Sequence, residues 1–225
     1  QLFATEKQPP ELPESFRNAR RGTSAMIQFE KTPAMNPAGK AVTVEAWVRA
    51  DRPDGAILAR GGPAQGYALL LRGGRPRFAI RTDDQLFTVS GKRRVVGRWV
   101  HLAGVLTAEK QLQLYVDGEL AGTAEAAELI ASEPSQSLQI GADEGSGGVG
   151  DYKGPFTFGG TIDEVRIYHG ALRAQQIEQH FAAPGSVAAD GRGDRATSMC
   201  RSVRCSRPSA KPTAAAASPR RSPVR

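Results

Sequence analysis

Cysteine is nearly absent: the 225 residues contain two, Cys200 and Cys205, both close to the C-terminal end. The rest of the chain therefore has no disulfide framework and no thiolate metal site. The late pair, without histidine nearby, lacks the ligands of a zinc site. Long apolar runs are also missing. None approaches the roughly 20 residues that a membrane-spanning helix needs, and no basic-then-apolar leader opens the chain, so a soluble chain is expected. No segment of 20 to 50 residues repeats, which argues against a solenoid or propeller.

An excess of one charge is missing from most of the chain as well. The total of 30 basic and 23 acidic residues gives +7, a balance that first suggests a nucleic-acid or membrane partner. Residues 183–225, however, hold nine Arg or Lys and two Asp, which leaves 21 of each sign in residues 1–182. The body is neutral, and no specific nucleic-acid partner is expected for it. Residues 183–225 also contain no Leu, Ile, Phe, Tyr or Trp. Such a segment cannot offset an ordering entropy of about 1–2 kcal/mol per residue, so a disordered basic tail is expected there. Its Arg192-Gly193-Asp194 tripeptide is short enough to arise by chance in an Arg- and Gly-rich stretch.

Residues 1–23, with Pro9, Pro10 and Pro13 among charges, read as an arm. Residues 24–182 carry short apolar or alternating runs separated by Gly, Pro and Asp, the pattern of an all-β domain. Eleven runs stand out: residues 25–29, 42–49, 56–59, 67–71, 77–81, 86–89, 99–106, 111–116, 120–124, 137–140 and 161–168. In residues 111–116 the period-two rule places Leu112, Leu114 and Val116 on one face and Gln111, Gln113 and Tyr115 on the other. Asp117-Gly118 then supplies a two-residue hairpin turn. Val42, Val44, Ala46 and Val48 alternate likewise with Thr43, Glu45, Trp47 and Arg49, as in an internal strand. Residues 171–181 change to helical spacing, with Ile177 and Phe181 four apart and His180 on the polar side.

Five phrases in order, VTVEAWV (42–48), RWVHLAGVL (98–106), LQLYVDGEL (112–120), GTIDEVRIY (160–168) and ALRAQQI (171–177), resemble the laminin-G-like jelly-roll domains of the concanavalin A-like lectin and glucanase superfamily. The resemblance covers residues 24–182. It implies a two-sheet antiparallel sandwich with a binding role, in an extracellular or cell-surface protein, often as an accessory to a glycosidase, sulfatase or adhesin. Glycan or extracellular protein is the implied partner. The resemblance also implies one structural calcium ion, held by Asp163 with backbone carbonyls near the first strand; Glu30 stands where relatives often carry Asp. It assigns Trp47, Trp99 and His101 to framework packing. At Arg173 relatives often have a capping Ser or Thr, so a frayed helix start is expected, costing about 1 kcal/mol.

Catalytic signals are weak. The alternating carboxylates of jelly-roll glucanases have no counterpart, since Glu125 and Glu128 stand three apart beside a loop and Asp83 and Asp84 are adjacent. His101, His169 and His180 have no nameable Ser or Cys partner, so no nucleophilic triad is indicated. The long Gly-rich segment 142–158 is the expected ligand-contacting loop. There Tyr152 is expected to stack on a sugar while Asp151 and Asp143 bond its hydroxyls; alternatively Phe156 and Phe158 simply pack beneath the sandwich. Three readings stay open: a non-catalytic module binding glycan or protein, a divergent glycoside-active enzyme, and a structural domain without ligand.

Overall fold

The computed structural model describes residues 26–145 and 147–183, together with the backbone of two short strands, β1 (Arg20–Arg21) and β13 (Val203–Cys205). The other residues of the N-terminal arm and the tail, including Cys200 and the Arg192-Gly193-Asp194 tripeptide, lie outside the described residues. The expected disorder of the tail falls largely there.

The eleven expected strands all form: β2 (Ile27–Gln28), β3 (Val42–Ala50), β4 (Gly55–Gly61), β5 (Gly66–Arg72), β6 (Arg75–Thr82), β7 (Gln85–Ser90), β8 (Trp99–Leu106), β9 (Gln111–Val116), β10 (Glu119–Glu125), β11 (Leu138–Ile140) and β12 (Gly160–Tyr168). One antiparallel sheet runs β1-β2-β11-β4-β5-β6-β7 and the other β10-β9-β8-β3-β12-β13. The Asp117-Gly118 turn has the two positive φ values, 53° and 81°, that a tight hairpin demands.

Alternation fills the space between the sheets. Val42, Val44, Ala46 and Val48 of β3 meet Ile57, Leu69, Leu71, Phe78 and Ile80 from the facing sheet in one buried cluster. Gly104, level with Val44 and Leu114 across β8, has a packing reason to be glycine: an added Cβ would overlap the Phe78 ring.

The outer face of the six-stranded sheet is covered by α1 (Ala174–Ala182), slightly later than the helical spacing suggested. Leu172 and Ile177 pack on Ala103, Val105, Tyr115 and Tyr168. Under them lies Glu45, fully buried on the middle strand. His180 Nδ1 donates to its Oε1 at 2.8 Å and the Tyr168 hydroxyl at 3.3 Å. His101 Nε2 and Arg166 Nη1 stand 3.5 and 3.6 Å from the carboxylate. Isolated burial would push this carboxyl up, but the imidazoles of His101 and His180 outweigh it and hold it down at about 2. An ionised carboxylate is thus the anchor of the helix.

One expectation needs correction here. His180 is not on a solvated face; it is 6% exposed and is the helix's polar anchor, because its ring bonds to the buried Glu45 carboxylate. At the helix start Arg173 makes no side-chain cap bond, as its chemistry requires, while Gln176 Oε1 accepts the Arg173 N–H at 2.9 Å, the half of a capping box that the third helical residue supplies. The framework role of His101 agrees with its burial beside Glu45.

Gly104→Ala should lower stability by about 1–3 kcal/mol through overpacking, measured by denaturant unfolding; a neutral change would show that Phe78 can move aside. Removal of Glu45 should cost more. Glu45→Ala leaves the buried Arg166 guanidinium without this counter-charge and the His180 ring without its acceptor, and should cost about 3–5 kcal/mol. Because the folded carboxyl titrates below its ordinary value of 4.5, its stabilisation is complete above that pH and is lost as pH falls toward about 2. Melting curves of the parent should therefore steepen downward in that window, with a flatter profile for Glu45→Gln; parallel profiles would contradict the assignment.

Candidate functional site

The Gly-rich loop covers the outer face of the seven-stranded sheet. Val149 and Tyr152 settle on Ala59, Ala68, Leu70 and Ala79, with Phe156 packed alongside. The Tyr152 ring is only 8% exposed, stacks on Phe156 at 4.2 Å, and passes between Gly148 and Gly150, where any Cβ would collide with it. Its hydroxyl donates to Asp143 Oδ2 at 2.7 Å. Asp143 is itself buried and also accepts N–H groups from Gly145 and Val149, both at 3.3 Å. Burial pushes the Asp143 carboxyl up against these bonds, and burial together with the Asp143 charge pushes the Tyr152 phenol strongly up.

The expected saccharide contact through Tyr152 and Asp143 is therefore corrected. Both faces of the ring and the carboxylate are consumed by the loop's own packing, and the glycines serve that packing. Phe158 enters the main core, as the packing alternative held. Asp151 does reach the surface, where its Oδ1 accepts from Arg77 Nη1 at 3.0 Å.

Two of the residues assigned to framework packing, Trp47 and Trp99, also line a cleft. Trp47, Trp99, Asp163 and Glu164 line a space of about 190 Å³ on the outer face of the six-stranded sheet, next to α1. Trp99 is 43% exposed, and it and Leu120 are the exposed large hydrophobic residues among those described. Trp47 stands further in, stacked on Phe181 at 5.7 Å and tilted against His101 at 5.5 Å. Its Nε1 is buried without a hydrogen-bond partner.

A β-bulge brings the two carboxylates to the same cleft. Successive strand residues ordinarily point to opposite faces. In β12 the register against β3 shifts between Asp163 and Arg166, and Glu164 takes φ 48°, a left-handed value that costs a non-glycine residue about 1 kcal/mol or more. The extra residue lets Asp163 and Glu164 both line the cleft while Ile162, Val165 and Ile167 all remain in the core. Each carboxylate is restrained by the chain: Asp163 Oδ1 accepts the Glu164 N–H at 2.8 Å, and Glu164 Oε2 accepts from Arg166 at 3.0 Å. The sequence does carry the signal, since apolar residues at 162, 165 and 167 break the period of two by one position.

Asp163 and Glu30, the pair expected to hold calcium, lie on different sheets: Glu30 follows β2 at an exposed position, whereas Asp163 sits within β12. Among the described residues no three His, Cys, Asp or Glu side chains converge in a metal-binding group. Calcium takes six to eight oxygens, so an ion at Asp163 would depend on backbone carbonyls for most of its shell.

The two-sheet sandwich has many likenesses among solved structures. A native heptameric SAP-like pentraxin from Limulus polyphemus aligns at 16% identity with a TM-score of 0.54, over 74% of this chain and 80% of the other. The botulinum neurotoxin serotype G binding domain aligns at 11% identity and TM-score 0.56, over 70% of this chain. The binding domain of botulinum neurotoxin DC in complex with SialylT aligns at 12% and 0.52, again over 70%. This chain spans only 40% and 39% of those two toxin domains. At such identities the likeness is one of fold. No curated protein matches the chain. The family model Laminin_G_3, of the concanavalin A-like lectin/glucanases superfamily, matches residues 21–178. With its sandwich, strand order and most of its length accounted for, the chain belongs to that laminin G family of the concanavalin A-like superfamily.

Proposed function

We propose that the chain is a non-catalytic saccharide-binding module, acting outside the cell as an accessory part of a larger secreted or surface protein. The observation that carries this reading is Trp99, an indole 43% exposed at the rim of a cleft that also offers Asp163 and Glu164. A sugar ring presents an apolar C–H face and a rim of hydroxyls. An exposed indole suits the first, because its large flat surface loses little freedom on stacking. The carboxylates of Asp163 and Glu164 suit the second, as acceptors. The toxin neighbour in complex with SialylT supports a ligand of this kind on the shared fold.

Binding, rather than hydrolysis, is favoured by the origin of the carboxylates. They are consecutive residues at a bulge, each restrained by a bond within its own strand, rather than a pair flanking a gap sized for a glycosidic bond. Trp99→Ala should weaken binding to the best ligand of a glycan array by at least about tenfold, equivalent to about 1.4 kcal/mol, with an unchanged melting temperature because the ring is exposed. Undiminished binding would contradict the site, and turnover of a polysaccharide by the parent would contradict the non-catalytic reading.

A calcium ion at Asp163 is part of the same proposal, its role being to brace the bulged strand beside the cleft. The parent should melt at a higher temperature in calcium than in chelator, and Asp163→Ala should abolish the difference. Equal melting of the parent in both solutions would remove calcium from the account.

A further inference from the structure

The opposite face of the sandwich carries a second concave region, where the β5–β6 hairpin meets the end of β7. A groove of about 730 Å³ is lined there by Asp54, Arg72, Gly73, Arg75, Arg77 and Ser90. Arg72 and Arg75 stand directly opposite each other in the antiparallel register, and Arg77 follows two positions along β6, opposite Ser90. Like charges in direct cross-strand register destabilise a sheet. The exposed run Lys92, Arg93, Arg94 follows β7, and the Arg94 guanidinium lies so close to the hairpin that a Cβ on Gly74 would meet its Nε at 3.0 Å.

Each guanidinium in the groove is held at one side. Arg72 lies over the Phe156 ring at 5.7 Å, Arg75 Nε donates to the Lys92 carbonyl at 3.2 Å, and Arg77 Nε donates to Ser90 Oγ at 3.0 Å. A guanidinium has five N–H donors in a rigid fork, so each retains donors beyond these bonds. The nearby carboxylates do not balance the charge. Asp151 accepts from Arg77 at 3.0 Å and Asp54 accepts the Gly73 N–H at 2.9 Å, two anions beside the four guanidinium groups of Arg72, Arg75, Arg77 and Arg94. In a body with equal numbers of each sign, this is a concentration of positive charge in one concave place.

We infer that this groove binds the anionic groups of an acidic polysaccharide, sulfate or uronate carboxylate, on the face opposite the tryptophan cleft. Preoriented guanidinium forks match such groups bidentately, and a polymer could place several of them along the hairpin at once. The inference stands on the arginine register and does not depend on the tryptophan cleft.

The test titrates the full chain with heparin, polygalacturonate, neutral dextran and a DNA duplex, at about 50 and about 300 mM salt, where a binding mode built on several ionic contacts loses affinity steeply. One or both acidic polysaccharides should bind, the better one identifying sulfate or carboxylate as the preferred group, and dextran should not compete. The double variant Arg72→Ser/Arg75→Ser should lose at least about tenfold in affinity and melt no lower than the parent, since a repulsive pair has been removed. Trp99→Ala should leave this binding unchanged. Full affinity in the double variant would overturn the inference by placing the binding elsewhere, such as on the basic tail. Equal or tighter binding of DNA would overturn the polysaccharide assignment.

Discussion

The Glu45 carboxylate is the constraint around which the outer architecture is arranged. A fully buried charge on a central strand of the six-stranded sheet is tolerable only if other groups replace its hydration. Tyr168 and Arg166 from one neighbouring strand and His101 from the other supply part of that replacement, and His180 supplies the shortest bond from the helix. The helix is therefore held at one orientation by chemistry as well as by its apolar stripe. That orientation brings Phe181 against Trp47, and Trp47 in turn forms the inner wall of the cleft. A buried ion cluster of modest net worth to stability thus has a positional consequence for the surface.

The two outer faces are closed by different means. Helix α1 and its ionic anchor cover one, and the glycine-rich loop with the Tyr152–Asp143 pillar covers the other. Each cover stops short of the sheet's end. Beyond α1 remain the indoles and the bulged carboxylates, and beyond the loop remain the arginines of the β5–β6 hairpin. The surfaces left uncovered differ in character, one aromatic and acidic, the other basic.

The fold was legible because period-two alternation and turn chemistry act locally: Leu112 and Leu114 identify their strand, and Asp117-Gly118 its turn, without reference to anything distant. The site was much less so. Trp99 and Trp47 occupy neighbouring strands on one face, yet only α1, arriving from residue 174 onward, decides that one ring is covered and the other left in solvent. Tyr152 looked available because it lies in a loop rich in glycine, but those glycines open the space into which its ring packs. His180 looked solvated because helical periodicity alone cannot show a carboxylate waiting on the sheet below. The bulge at Asp163 was readable from the 162, 165, 167 spacing, although its effect, two consecutive carboxylates in one cleft, needs three dimensions.

The protein's only two tryptophans are the two that line the cleft, so intrinsic fluorescence reports on the site without labels. Titration with a saccharide that the chain binds should shift the emission to shorter wavelength and protect Trp99 from acrylamide quenching. Saturating ligand that leaves both the emission and the quenching unchanged would show that the sugar binds elsewhere and would contradict the account at its centre.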